Sequence, residues 1–338
     1  MTLSLRLETR KYLKSSCPRG TNRLVSDARC RSFLPETSSV WVSGLLLWEW
    51  REKARQQARQ ADIDEGEVDW LLQRVADLDR LTLRLGRSHL PEHVKVDRSL
   101  TDLDRLWDRR ILDRTPVQYL VGQVSWRHFD LVVSPDVLVP RPETEAIVDI
   151  AVEAAGDDRD GIWVDLGTGS GVIALGLAEA LPEASIVAVD TSRAALDIAR
   201  HNATAAGLFD RIEFRQGSWF DPLDALKGRI RGMVSNPPYI PSDLVPQLQP
   251  EVARHEPHLA LDGGQDGLSA LRHLARTAPA YLQPGGIWLV EHMAGQSESV
   301  CKILYDCKCY RDVRSIGDWA GFDRFVLAYY CPTSSQTP

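Results

Sequence analysis

A chain of 338 residues, 43% apolar and 26% charged, has an ordinary globular composition, which excludes a wholly disordered or fibrous protein. Its 40 Lys/Arg against 47 Asp/Glu leave a net charge of −7, which argues against a protein held on nucleic acid by bulk electrostatics. The most apolar runs, residues 40–48 and 172–178, fall far short of the roughly 20 residues that span a bilayer, so no membrane association is expected. At roughly 150 residues per domain, the length suggests about two domains.

Residues 1–43 hold eight Lys/Arg and three acids, a local charge of +5 that leaves −12 for residues 44–338. The segment is Ser-rich and shows no sustained apolar period, so it is expected to be a disordered basic tail. It lacks the compact apolar stretch of a secretory signal. Its Arg/Ser-rich, acid-poor character fits a mitochondrial or plastid transit peptide, and equally non-native residues added by an upstream start codon. A cytoplasmic location is expected, with an organelle as the alternative if the tail is a leader. Six cysteines, none paired as CxxC, are too few for a disulfide scaffold and point to a reducing compartment.

Residues 44–114 read as a small helical domain. Leu45, Leu46, Leu47, Trp48 and Trp50 open one helix, and residues 51–60 continue it with good helix formers. Residues 67–75 place apolar side chains at i, i+3, i+4 and i+7. Thr101 and Asp104 form an expected capping pair for a helix carrying Leu103, Leu106, Trp107, Ile111 and Leu112. This Trp/Leu stripe is core rather than ligand site. By analogy with other enzymes, such a domain is expected to dock the substrate.

Residues 115–142 are expected to be a linker. Pro116 breaks the helix. Residues 123–133 alternate with a period near 2 around a polar turn at Arg127-His128, which predicts a β-hairpin. Pro135, Pro140 and Pro142 mark a loop.

Residues 143–332 open with a helix over 144–154 and then alternate strand and helix. Strands are predicted at 162–166, 185–189, 212–216, 232–235, 286–291, 310–315 and 324–329. That alternation predicts an α/β fold with a mostly parallel, doubly wound, Rossmann-like sheet of seven strands. The last two strands, close in sequence, are expected to form an antiparallel edge.

Asp165-Leu166 is followed by Gly167-Thr168-Gly169-Ser170-Gly171 between a strand and a helix. The glycines permit a sharp turn and close ligand approach, and the helix start offers free N–H groups. The spacing is not the dinucleotide fingerprint, and the GK[ST] of a P-loop is absent. Asp190 ends the next strand, where a carboxylate can accept both ribose hydroxyls; it could instead cap the following helix. An adenosine without a pyrophosphate fits this pair, and S-adenosylmethionine is the common cofactor of that kind.

Asn236-Pro237-Pro238-Tyr239 follows the fourth predicted strand. Ligands in open α/β sheets bind outside the carboxyl ends of strands, at the switch between the first and fourth. Asn236 should therefore face the glycine turn. Two prolines hold the chain extended and leave carbonyls without neighbouring N–H groups. With the Asn236 amide and the Tyr239 ring, they form an expected clamp for a planar NH2 group: acceptors take its hydrogens and the ring stacks on its face. His255 and His258 flank Pro257 with no third ligand in view, so no metal is expected.

Together, residues 165–171 and 236–239 resemble the signature of amino-nitrogen methyltransferases. The flanks Pro116–Gly122, Val139–Glu145, Gly217–Phe220 and Glu251–Gly264 are similar to those of the peptide release factor glutamine N5-methyltransferase family (HemK/PrmC type), bacterial and above all cyanobacterial members. The resemblance covers about residues 44–330. It implies an S-adenosylmethionine-dependent enzyme that methylates the side-chain amide of the glutamine in the Gly-Gly-Gln motif of class I release factors. It implies that Gly167, Thr168, Gly169, Ser170 and Gly171 contact the cofactor, that Asp190 holds its ribose, and that Trp219 lies against its adenine. Asn236, Pro237, Pro238 and Tyr239 would hold the glutamine amide, with Asn236, Pro237 and Tyr239 catalytic. Arg141 and Glu143 would border the cofactor mouth. A monomer without direct nucleic-acid binding is expected. The alternative function is an adenine or guanine amino-methyltransferase, which the acidic charge of residues 44–338 disfavours. A non-catalytic module is disfavoured by the intact glycine turn and Asn-Pro-Pro-Tyr.

Overall fold

The computed structural model describes residues 39–332. Of the tail expected at residues 1–43, residues 1–38 lie outside them. Residues Val40–Ser43, expected to belong to that tail, instead form strand β1, which pairs antiparallel with β2 (His93–Val96). Between them lie helices α1 (Gly44–Gln60), α2 (Gly66–Val75) and α3 (Arg80–Leu85). Helices α4 (Leu100–Leu112) and α5 (Val117–Val121) follow. The period in α2 is that of its buried face: Val68, Leu71, Leu72 and Val75. They pack with Leu47, Trp50 and Trp107 in one apolar cluster, each large side chain worth about 1.5–3 kcal/mol of burial. Helix α4 starts earlier than the sequence suggests. Its cap is Ser99, whose Oγ accepts the Asp102 N–H, rather than Thr101.

Two buried arginines brace this region. Arg51 pairs with Asp69 and Glu52. Arg110 donates to Glu67 at 2.5 and 2.8 Å and to Glu251 at 2.7 Å, tying α4 to the chain after the second motif. Breaking such a pair strands an unpaired buried charge and costs about 3–5 kcal/mol.

The hairpin forms as expected, β3 (Gln123–Trp126) against β4 (Phe129–Val132) across Arg127-His128. Then come α6 (Glu145–Ala155), β5 (Ile162–Leu166), α7 (Val172–Ala180), β6 (Ser185–Asp190), α8 (Arg193–Ala205), β7 (Ile212–Gln216) and β8 (Ile230–Ser235). The chain closes with α9 (Pro250–His255), α10 (Ser269–Thr277), β9 (Leu282–Glu291), α11 (Ser297–Cys307), β10 (Tyr310–Gly317) and β11 (Asp323–Tyr330).

Seven strands form one sheet in the order β10-β11-β9-β8-β5-β6-β7. Strands β7, β6, β5, β8 and β9 run parallel, and the chain reverses direction in strand order between β5 and β8. The last two strands form the expected antiparallel pair at one edge of the sheet, with β10 outermost. β11 inserts between β9 and β10 and runs against both, so β10, the edge, points with the parallel set. The crossover helix α11 carries the chain past one strand position, and β11 fills the gap on its way back. Apolar clusters cover both faces, one built on α6, α7 and α8, the other on α10 and α11. Gly232 in β8 permits this packing: a Cβ there would stand 2.3 Å from the buried Trp163 ring.

Asn202 of α8 joins the hairpin to the sheet. Its Oδ1 accepts the Val132 N–H at 2.8 Å, and its Nδ2 donates to the carbonyls of Val132 and Ser170 at 3.1 and 2.9 Å. Replacing it strands three backbone groups in the interior. Asn202→Ala is expected to lower stability by about 2–4 kcal/mol in urea unfolding. A loss below about 0.5 kcal/mol, the range of neutral surface changes, would show that the hairpin is not anchored there.

Candidate active site

The register of the parallel strands decides what meets at their carboxyl ends. Leu166 of β5 pairs with Ser235 of β8, and Ser235 with Val290 of β9. The Ser235 hydroxyl donates to the Leu166 carbonyl at 2.6 Å, fastening the two strand ends. The glycine turn, Asn236 and Glu291 therefore emerge side by side at the switch point.

The turn after β5 is left-handed at Gly167 and Gly169 (φ 76° and 53°), which an L side chain resists. A Cβ on Gly169 would meet nothing within 4 Å, so this part of the loop faces open space. Behind it, fully buried Asp165 holds the turn from below. Its Oδ2 accepts the Thr168 hydroxyl at 2.5 Å and the Ala174 N–H at 3.1 Å, while Oδ1 has no hydrogen-bond partner. Burial pushes the Asp165 carboxyl up to about 7.

Asp190 closes β6 on the opposite side of the turn. Its Oδ2 accepts the Gly169 N–H at 2.9 Å and its Oδ1 the Ser192 N–H at 2.8 Å. The cap of α8 is Ser192, whose Oγ accepts the Ala195 N–H, so the helix does not rely on Asp190 as its N-cap. Burial raises the Asp190 carboxyl above its usual range, against three backbone N–H groups that lower it. The residue braces the glycine loop and also lines the cleft in front of it.

That cleft has a volume of about 690 Å³, and Gly167, Thr168, Gly169, Ser170, Asp190, Trp219, Asn236 and Pro238 all line it. Of the expected site residues, Gly171, Pro237 and Tyr239 are not among its lining. Gly171 serves as the N-cap of α7. Pro237 is buried. Tyr239 turns its hydroxyl to Glu291 Oε1 at 3.2 Å and gives its carbonyl to Gln296 Nε2 at 3.0 Å. Its ring packs with the cluster around α10 and α11, so here it buttresses the wall rather than offering a stacking face. Arg141 lines the cleft and pairs with buried Glu256 at 2.6 Å; Glu143 lies 3.9 Å from Arg324.

The Asn236 amide is held by residues that the sequence patterns did not single out for it. Its Nδ2 donates to Thr144 Oγ1 at 3.2 Å, and Thr144 Oγ1 donates to Glu291 Oε2 at 2.7 Å. Thr144 and Glu291 are both buried. Burial pushes the Glu291 carboxyl up to about 7. A signal existed: Glu291 ends an apolar strand, as Asp190 does. His255 and His258 direct their Nε2 atoms to the carbonyls of Asp113 and Ala253.

The cleft fits an adenosine cofactor lacking a pyrophosphate. Its volume is that of a small-molecule site. Gly169 leaves room against the backbone, Asp190 presents a carboxylate and Trp219 a flat ring, all on one cavity.

A family model described as "Methyltransferase small domain" matches residues 148–248, which include both motifs. A release factor glutamine methyltransferase of Synechocystis sp. is 50% identical over 292 residues, covering 85% of this chain and 97% of that protein. Proteins of the same name from Gloeobacter violaceus and Thermosynechococcus vestitus are 46% and 42% identical, covering 83% and 85% of this chain and 96% and 95% of theirs.

The buried Asp165 carboxyl makes one expectation concrete. Its folded value, about 7, stands above the value of 3.8 for a free carboxyl. Between those two the unfolded chain is ionised while the folded chain keeps its proton, so this group's contribution falls as pH rises and levels off above about 7. Asp165→Asn removes the effect. Its stability relative to the parent should climb from pH 4 to about 7 and then stay flat, as read by urea unfolding across pH. A difference independent of pH would contradict the burial argument.

Proposed function

The chain belongs to the release factor glutamine methyltransferase family, and we propose that its cleft methylates the side-chain amide nitrogen of the glutamine in the Gly-Gly-Gln motif of class I release factors. The observation that carries this reading is the meeting of the glycine turn, Asp190 and Asn236 on one cleft. S-adenosylmethionine, when bound, supplies an electrophilic methyl group on a sulfonium. Gly167 to Ser170 and Asp190 would hold its methionine and ribose portions, and Trp219 its adenine.

A primary amide nitrogen is a weak nucleophile because its lone pair is delocalised into the carbonyl. The chain's contribution is positioning. Asn236 Oδ1 accepts one N–H of the substrate amide. The proposed acceptor of the other is the Pro237 carbonyl: Pro237 itself is buried outside the cleft lining, but the next residue, Pro238, lines the cleft and offers no N–H in competition. Gripping both hydrogens turns the nitrogen toward the glycine-turn side of the cleft. Such alignment is worth up to about 7–11 kcal/mol in ideal systems.

A base amine of nucleic acid would suit the same clamp, but the net −12 of residues 44–338 opposes a polyanion. The helical region is the proposed docking surface for the protein substrate, with exposed Trp41, Leu45 and Leu46 grouped around the start of α1. Such a substrate would be met where translation terminates: in the cytoplasm, or in a mitochondrion or plastid if the basic tail of residues 1–43 is a transit peptide.

Two variants separate cofactor from substrate. Asn236→Ala should leave S-adenosylmethionine affinity within a few-fold and lower kcat on release factor by about 10²-fold, the cost of a misplaced positioning contact. Near-normal turnover would remove the clamp from the catalytic site. Asp190→Ala should weaken S-adenosylmethionine binding by about 1.5–3 kcal/mol in calorimetry, the range for hydrogen bonds to a charged group. Unchanged affinity would leave Asp190 as a loop brace only.

A further inference from the structure

The hydrogen-bond chain behind Asn236 has a direction. A threonine hydroxyl carries one hydrogen, and Thr144 gives it to Glu291 Oε2 at 2.7 Å. Toward Asn236 the same oxygen can therefore only accept. That fixes the amide independently of how its two ends are assigned: the NH2 turns to Thr144, and Oδ1 turns away from it. Glu291 is set by the same logic. Tyr239 donates to its Oε1 and Thr144 to its Oε2, so both carboxylate oxygens act as acceptors.

We propose, on the footing of the glutamine-amide reading above, that Thr144 and Glu291 are positioning residues for the reaction. Together they make Asn236 present its oxygen, not its NH2, to the substrate amide. Neither residue needs to touch the substrate. Without the pair, Asn236 is free to turn its own NH2 toward the substrate NH2, so that two donors meet and neither bond forms.

The arrangement also has a proton-dependent failure. A protonated Glu291 donates to Thr144, which frees the Thr144 hydrogen to donate to Asn236 Oδ1, and the amide reverses. The charged and titratable groups around Glu291 are Tyr239 after β8, Glu143 before α6 and Arg324 on β11, with Arg324 also held by Asp318 at 2.9 Å. Glu143 favours the protonated form and Arg324 the carboxylate; burial is the largest influence, and it brings the changeover to about 7.

The test uses the full chain, S-adenosylmethionine and a class I release factor. Thr144→Val should lower kcat by about 10- to 100-fold, with S-adenosylmethionine affinity and release factor KM within about threefold, the pattern of a lost transition-state alignment. Thr144→Ser keeps the hydroxyl and should recover turnover to within about threefold of the parent, which loss of packing alone would not predict. The parent's kcat should fall on the acid side of about pH 7, and this limb should be lost in Glu291→Gln. Should the glutamine variant not fold, the two threonine variants carry the test. Parent-like kcat in Thr144→Val, a loss in Thr144→Ser as deep as in Thr144→Val, or an unchanged acid limb in folded Glu291→Gln would each overturn the inference. An active parent accompanies those outcomes; a parent inert toward release factor overturns the glutamine-amide reading itself.

Discussion

Everything at this site depends on the register of three parallel strands. Leu166, Ser235 and Val290 lie side by side on β5, β8 and β9. The turn after β5, the Asn-Pro-Pro segment after β8 and the carboxylate at the end of β9 therefore share one edge. A one-residue slip would reverse every side chain on the slipped strand, and the packed interior on both faces makes that slip costly. The Ser235–Leu166 hydrogen bond ties two of these strands together at the edge that carries the site.

The edge is also where the fold accepts buried charge. Asp165 and Glu291 are fully enclosed, and each has its carboxyl pushed up to about 7. Buried acids weaken a fold at neutral pH, so they mark places where geometry serves chemistry. Asp165 holds the glycine turn through Thr168 and Ala174; Glu291 holds Thr144 and Tyr239. Each acid fixes a backbone or an amide that in turn faces the cleft. On the proposed mechanism, catalysis rests on orientation rather than on a strong base, and these acids act from beneath the residues that would contact the substrate.

Much of this was legible in the residues. Apolar runs of four, such as residues 186–189 of β6 and 287–290 of β9, located the strands because a parallel strand is buried on both faces. The glycine turn and Asn-Pro-Pro-Tyr were readable because unusual backbone demands require unusual residues. What escaped notice was non-local. Strand β1 is four residues whose partner lies 50 residues away, and nothing in Val-Trp-Val-Ser announces it. The insertion of β11 between β9 and β10 is a fact of strand order, which no local pattern encodes. Tyr239 looked like a stacking ring because its neighbours form a clamp; its hydroxyl is instead claimed by Glu291, which is 52 residues on in sequence. Thr144 and Glu291 carry no motif for this role, and only the folded edge brings them to Asn236.

The central claim is that this cleft methylates one particular amide nitrogen in a protein. The most direct measurement is tandem mass spectrometry of a class I release factor incubated with the full chain and S-adenosylmethionine, alongside DNA and RNA oligonucleotides treated in parallel. The account predicts a single added methyl group, localised to the side-chain nitrogen of the Gly-Gly-Gln glutamine, and none on either nucleic acid. A methyl group on a base, on another residue of the release factor, or on neither class of substrate would contradict it.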